Sequence, residues 1–336
     1  MSRSSSTTVP RPPVRPKDGH KGTFGTVIVV GGCAESSSLM LGAPALSARA
    51  ALRVGAGLAK LIVPREIALA ALTLCPSATA ATLTTRSSAD NRRAFASVNL
   101  SEANAVVFGP GMGRSPATLA ALKVLLAAPR SRPLGVVIDA DGIHALAALF
   151  GARVPRAGSR AGRRRPLVIN PHAHIILTPH VGEFRALAAA IRPEIADALP
   201  SRRPIAVADA RRSAVALQAA LADLGMPCIV LLKGAATIVA GPDRVNIVSR
   251  PNPALATAGT GDVLAGAIAG LLAQSFARPD DPTRATTLAQ DMVVLAAHAH
   301  ADAAKRWCDT AGASAGLLAM ELADLLPSAL EGLRRR

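Results

Sequence analysis

The sequence predicts an α/β fold, a mostly parallel central sheet with helices on both faces, and three observations predict it. Short β-branched runs alternate with longer Ala/Leu-rich stretches, the pattern of strand–helix–strand units. Strand after strand ends in glycine or a polar residue, and in open α/β sheets that rim is where ligands bind. Half of the residues are apolar, only 2% are aromatic and tyrosine is absent. Such an apolar mass of Ala, Leu and Val suits close-packed helices on a Val/Ile-rich sheet.

Regular structure is expected to begin at Thr26-Val27-Ile28-Val29-Val30, a strand that ends in Gly31-Gly32. Residues 43–54 read as a helix closed by Gly55-Ala56-Gly57, and residues 58–63 as the next strand, stopped by Pro64. The pattern recurs in Ala105-Val106-Val107-Phe108, a helix over 117–127, and Gly135-Val136-Val137-Ile138. A strand over 174–177 follows, then a helix over 207–224 and a strand over 228–232 ending at Lys233-Gly234. Strands over 237–240 and 245–248 flank Gly241-Pro242-Asp243 as a hairpin. Helices over 261–274 and 292–306 complete the pattern.

The chain has 336 residues and a formal net charge of +16. We expect one domain over 21–330, preceded by a basic, disordered arm over 1–20. Pro10, Pro12, Pro13 and Pro16 oppose a helix in that arm. Residues 153–165 form an Arg-rich loop insert and 331–336 a basic tail. Charge gathered in an arm, loops and an end is not one face of a helix, and stacking aromatics are scarce. No specific nucleic-acid partner is therefore expected. Cys33, Cys75, Cys228 and Cys308 form no CxxC pair and read as free thiols, which suits a reducing cytoplasm. The amino terminus lacks the apolar region of a secretory signal. Arg49, Arg53 and Lys60 interrupt the best candidate for a membrane span.

Four strand-end segments carry chemistry. Gly259-Thr260-Gly261-Asp262 runs straight into an apolar helix. Glycines let backbone N–H groups converge, and a helix start adds unpaired donors and a positive dipole end. That makes a cradle for a phosphoryl group, with the Asp262 carboxylate placed to take a proton from an attacking hydroxyl. An ordinary acidic helix start has the same composition. Lys233-Gly234-Ala235-Ala236-Thr237 can contact nucleotide phosphates or an adenine edge, or be a turn with a solvated lysine. In Thr178-Pro179-His180-Val181-Gly182-Glu183, His180 can donate to a substrate and Glu183 can organise a metal, or the two can cap a helix. Asp139-Ala140-Asp141 can hold Mg²⁺ through water or be turn chemistry. His172, His174, His298 and His300 read as structural or exposed. Gly31-Gly32 lacks the third glycine of a dinucleotide fingerprint, which excludes a hydride-transferring Rossmann enzyme.

Together these segments resemble the ADP/ATP-dependent NAD(P)H-hydrate dehydratase family of the ribokinase-like fold. The resemblance also takes in Lys21-Gly22-Thr23-Phe24-Gly25, Gly42-Ala43-Pro44-Ala45 and Gly109-Pro110-Gly111-Met112-Gly113. It covers the chain from about Lys21 to Leu330 and closes on Asn252-Pro253 through Leu264. The fold it implies is a three-layer ribokinase-like one. The implied reaction is dehydration of the S-epimer of hydrated NADH or NADPH: ADP or ATP phosphorylates the C6 hydroxyl, and elimination of phosphate restores the cofactor.

By the resemblance, Asp262 is the catalytic base, and Gly259, Thr260 and Gly261 hold the moving phosphoryl group. Lys233, Gly234, Ala235, Ala236, Thr237 and Gly261 meet the nucleotide. Ala43, Gly111, Gly113, His180 and Asp262 meet the substrate. Mg²⁺ is the implied metal, with Glu183 and Asp139 acting through water. A homotetramer and an epimerase on a separate chain are the implied partners. Thr23 stands where an acidic residue is common, and the segment 33–41 lacks the usual glycine and aromatic. A small-alcohol kinase of the same fold, similar to hydroxyethylthiazole kinase, is the alternative enzyme. A basic nucleic-acid-associated protein with a vestigial site is the alternative outside enzymes.

Overall fold

The computed structural model describes residues 4–6, 8–35, 38–83, 99–151, 167–200, 204–278 and 282–335. The Arg-rich segment 153–165 lies outside the described residues. In chain order the strands and helices are β1 (Ser4–Ser6), β2 (Thr26–Val30), β3 (Cys33–Glu35), β4 (Ser38–Met40), α1 (Gly42–Arg53) and β5 (Leu58–Pro64). Then come α2 (Ala68–Leu74), β6 (Thr79–Leu83), β7 (Ala105–Phe108), α3 (Pro116–Ala127), β8 (Leu134–Ile138) and α4 (Asp141–Gly151). Next are β9 (Ala173–Leu177), α5 (Val181–Ile191), α6 (Pro193–Asp197), α7 (Val207–Asp223), β10 (Cys228–Leu232) and β11 (Ala236–Ala240). The chain ends with β12 (Arg244–Ser249), α8 (Thr260–Ala277), α9 (Ala285–Ala311) and α10 (Ala319–Arg334).

Ten strands form one sheet in the order β1-β12-β11-β10-β9-β8-β7-β2-β5-β6. Neighbours run parallel except where β11 pairs with β10 and with β12. The predicted parallel core and the predicted hairpin, β11 with β12, are thus both present. From β2 the chain first builds outward through β5 and β6, then returns to add β7 on the other flank. The reversal places a topological switch point at the carboxyl ends of β2 and β7, the kind of position where such sheets bind ligands.

Alternation along the strands produces the layers. Val27, Val29, Leu61 and Val63 pack into one core with α1, α8, α9 and α10. Their neighbours Ile28, Val30 and Ile62 pack into a second core with α3, α4, α5 and α7. With both faces covered, the strands read as nearly unbroken apolar runs, as a buried parallel sheet requires. This is the expected three-layer α/β architecture.

Helix α8 is the only described helix long and apolar enough to cross a membrane, and most of it is buried inside the fold. Its small residues set its place. A Cβ added to Gly266 would lie 2.1 Å from the Ser47 carbonyl oxygen, and one on Gly270 2.6 Å from that of Ala51. The backbones of α1 and α8 therefore touch, and this contact fixes where the first turn of α8 begins.

Three features depart from the expectation. The amino-terminal arm is not free: Ser4–Ser6 pairs in parallel with β12. Arg15 donates to the Gly55 carbonyl at 2.7 Å and to Gln274 Oε1 at 2.8 Å, and lies 3.7 Å over the Phe24 ring. Proline-rich extended chain suits such surface pairing better than it suits a helix. The segment 33–41 contains a small hairpin, β3 with β4. Helices α2, α4, α6 and α10 and strand β6 were not anticipated.

The contact between α1 and α8 yields a test. Alanine normally favours a helix over glycine by about 1 kcal/mol. Forcing packed backbones apart costs about 1–3 kcal/mol. Gly266→Ala should therefore lower stability by about 1–2 kcal/mol in denaturant titrations. A stabilised variant would show that the contact is not tight.

Candidate active site

The Gly259-Thr260-Gly261-Asp262 turn begins α8 from a left-handed glycine. Gly259 has φ of 89°, and a Cβ there would lie 2.8 Å from Leu46 Cδ1 and 2.9 Å from Ala319 Cβ. Both conformation and space demand glycine. Thr260 Oγ1 lies 2.9 Å from the carbonyl oxygens of Leu255 and Thr257, which braces the loop from within. Ser47 Oγ donates to the Asp262 carbonyl at 2.9 Å and ties the turn to α1. The Thr260 N–H makes a long 3.4 Å turn bond to Thr257. The next N–H groups open a helix and have no carbonyl one turn back to bond.

Lys233 closes on this turn from the end of β10. Its Nζ donates to Asp139 Oδ1 at 2.9 Å and lies 3.9 Å from Glu183 Oε2. A Cβ on Gly261 would stand 3.3 Å from the same Nζ. Burial disfavours the Lys233 ammonium, but Asp139, Glu183 and Asp262 outweigh it, and its pKa rises. Asp262 shows the converse balance. Burial is the largest influence, and Asp139 and Glu183 add repulsion that Lys233 only partly offsets, so its carboxyl is pushed up to about 7. A carboxyl with that value can hold or release a proton near neutral pH, as a general base must.

One cavity of about 800 Å³ opens beside this cluster. Lys233, Gly234, Ala235, Ala236 and Thr237 line it together with Thr260 and Gly261. Ile205, Val248, Leu255 and Leu264 give it apolar wall. Its size and its mix of apolar wall and few polar groups suit a nucleotide-sized ligand.

His180 and Glu183 form the capping arrangement named as the plainer alternative. His180 Nδ1 accepts from the N–H groups of Gly182 and Glu183 at 3.0 and 3.3 Å. Glu183 Oε2 accepts from the His180 N–H at 2.8 Å. His180 nonetheless lines the cavity. Asp139 is buried and engaged by Lys233. Asp141 Oδ2 accepts the Gly113 N–H at 2.9 Å, so this carboxylate holds the glycine loop. Among the described residues no three His, Cys, Asp or Glu side chains converge as metal ligands. What remains for Mg²⁺ fits an ion held mainly by phosphate oxygens and water, with Asp139 and Glu183 behind it.

The other predicted contacts gather on the α1 flank of the turn. Gly111 has φ of 66°, and a Cβ there would lie 2.9 Å from Met40 Cβ and 3.6 Å from Ala43 Cβ. Ala43 and Leu46 share α1, and Leu46 abuts Gly259. Gly113 lies near Glu35, at the end of β3. The exposed Leu39 and Met40 on β4 extend this flank. Lys233 and its cavity lie against Gly261, whereas Leu46 and Ala319 lie against Gly259.

The sequence reading missed Ser47, Leu46 and His300 as supports of the turn. His300 Nε2 lies 2.9 Å from the Thr260 carbonyl oxygen, and the imidazole is buried. No local pattern signals these contacts, because the partners are far apart in sequence. His174 packs against Phe276, their ring centroids 5.2 Å apart, in keeping with its structural reading.

The family model for NAD(P)H-hydrate dehydratase matches residues 27–328. The bifunctional NAD(P)H-hydrate repair enzyme of Moorella thermoacetica is 36% identical over 268 residues, 79% of this chain and 43% of that protein. The chain thus spans less than half the length of this relative. The ATP-dependent (S)-NAD(P)H-hydrate dehydratase of Danio rerio is 29% identical over 275 residues, 81% of this chain and 72% of that protein. Among solved structures, the ADP/ATP-dependent NAD(P)H-hydrate dehydratase of Bacillus subtilis co-crystallized with ATP/Mg²⁺ superposes with a TM-score of 0.66 at 26% identity. That match covers 96% of this chain and 94% of that one. A ribokinase of Cryptococcus neoformans, at 13% identity and a TM-score of 0.53, shares the fold.

The raised Asp262 pKa has a consequence for stability. A carboxyl whose folded pKa stands near 7, above its ordinary 3.8, loses stability for the fold as pH rises between those values. Asp262→Asn should therefore gain on the wild type from about pH 4 to pH 7 and hold that gain above it. Paired denaturant titrations across this range check it, and a constant difference would contradict the assigned shift.

Proposed function

The chain belongs to the NAD(P)H-hydrate dehydratase family, and from that premise we propose that it restores hydrated NADH or NADPH at the expense of ADP or ATP. One observation carries the reading: a carboxyl pushed up to about 7 stands in the first turn of a buried helix, beside a nucleotide-sized cavity. The nucleotide occupies that cavity along Lys233, Gly234, Ala235, Ala236 and Thr237. The hydrated nicotinamide ring approaches from the flank of Ala43, Gly111 and Gly113, so donor and acceptor meet over Gly259, Thr260 and Gly261.

The ionised Asp262 takes the proton of the C6 hydroxyl. The freed oxygen attacks the terminal phosphorus, and the bond to the nucleotide's bridging oxygen breaks. The nucleotide departs with one phosphate fewer. Backbone N–H groups of the turn and Lys233 receive the charge of the phosphoryl oxygens. Hydroxide leaves poorly and phosphate leaves well, so the ring-nitrogen lone pair now expels phosphate from C6. Loss of a proton from C5 completes the dihydronicotinamide. Mg²⁺, held through water by Asp139 and Glu183, would neutralise phosphate charge. His180, already committed to its cap, borders the cavity. The S-epimer as substrate, an epimerase on a separate chain, a homotetramer and a cytoplasmic location belong to the same proposal.

The test is recovery of dihydronicotinamide absorbance when pure protein meets hydrated NADH, Mg²⁺ and either ADP or ATP. We expect recovery with at least one donor. The rate at low substrate should rise through about pH 7 as Asp262 ionises. Asp262→Asn should lower turnover by about 10²–10⁴-fold. Well-folded protein that restores nothing with either donor refutes the reading. An unaltered Asp262→Asn rate refutes the role of the base alone.

A further inference from the structure

We infer that His300 is a positioning residue that fixes and polarises the Thr260–Gly261 peptide. His300 lies on α9, forty residues beyond the turn it touches. Its Nε2 is 2.9 Å from the Thr260 carbonyl oxygen. A carbonyl accepts and does not donate, so Nε2 carries the proton and donates. The ring is buried and lines the same cavity as Lys233 and Gly261. Burial also pushes its pKa down to about 4, so the imidazole stays neutral and keeps this tautomer near neutral pH.

The geometry of one peptide unit carries the rest. The carbonyl that His300 engages and the N–H of Gly261 belong to the same planar group. Holding the oxygen fixes the plane, and with it the direction of the Gly261 N–H. A donor on the oxygen also draws electron density through the amide, which makes that N–H a stronger donor. Thr260 Oγ1 braces the preceding loop and Ser47 braces the following carbonyl, at Asp262. His300 supplies the remaining tie, at the peptide between them. Preorganised donors of this kind act mainly on charge that develops during transfer, so the role rests on the proposed phosphoryl-transfer chemistry.

The chain contains a single Thr-Gly dipeptide, Thr260-Gly261. Protein labelled with ¹³C-carbonyl threonine and ¹⁵N-glycine therefore gives one carbonyl–amide cross-peak, which reports this peptide in the resting protein. His300→Leu keeps an apolar side chain of similar bulk without the donor, and His300→Gln restores an N–H. In His300→Leu we expect the Thr260 carbonyl carbon to move upfield. We also expect turnover in the cofactor-recovery assay to fall about tenfold with little change in the nucleotide KM. His300→Gln should regain most of both. An unmoved cross-peak in His300→Leu overturns the tie itself. Equal turnover losses in the Leu and Gln variants, or none in Leu, overturn the positioning role. If the wild type restores no cofactor, the proposed function fails, while the cross-peak still decides whether the tie exists.

Discussion

The positive end of α8 is half-buried beside the cavity, and the rest of the site follows from that placement. A helix start carries roughly half a positive charge and several unpaired N–H groups. Leaving such a terminus half-buried is costly unless an anion or a polar partner meets it. Here Asp262 stands in its first turn, and Lys233 faces it from the end of β10. Asp139 and Glu183 then hold the lysine. Burial above all, and then the negative charge of Asp139 and Glu183 that one ammonium only partly offsets, push the Asp262 carboxyl up to about 7.

The scaffold gives this terminus two separate sides. Gly266 and Gly270 let α1 approach the backbone of α8, which brings Leu46 against Gly259 and Ser47 to the Asp262 carbonyl. On the other side, β10 delivers Lys233 and the cavity beyond it. The proposed phosphoryl donor and hydroxyl acceptor would each have its own approach to this helix start. The carboxyl held above its ordinary range is a local loss of stability, the kind of sacrifice that active sites often contain.

Much of the fold was legible because periodicity is local. The β-branched runs at 26–30, 105–108 and 228–232 are strands in the structure. The small-residue stretch from Thr260 is a helix, as its composition implied. The segments after β8, β9 and β10 bring Asp139, Glu183 and Lys233 together, as their strand-end positions allow. Less was legible where the pattern is weak. Thr79–Leu83 is an edge strand with little apolar alternation, and it takes its conformation from pairing with Leu58–Pro64. The amino-terminal arm has the composition of free chain, yet Arg15 finds Phe24, Gly55 and Gln274 only once those are assembled.

The sequence by itself determined the layer order, the glycine-rich helix start with its acid, and the family. Tertiary structure alone decided what those residues became. Lys233 pairs with Asp139 across 94 positions, and His300 reaches Thr260 across 40. His180 and Glu183 could be read as ligands or as a cap from spacing alone, and the fold engages them as a cap that also borders the cavity. Asp262 could be read as a base or as a helix start. It stands in the first turn of α8 with a raised pKa, and that value depends on desolvation and on charges a few ångströms away in space, quantities that linear spacing does not encode.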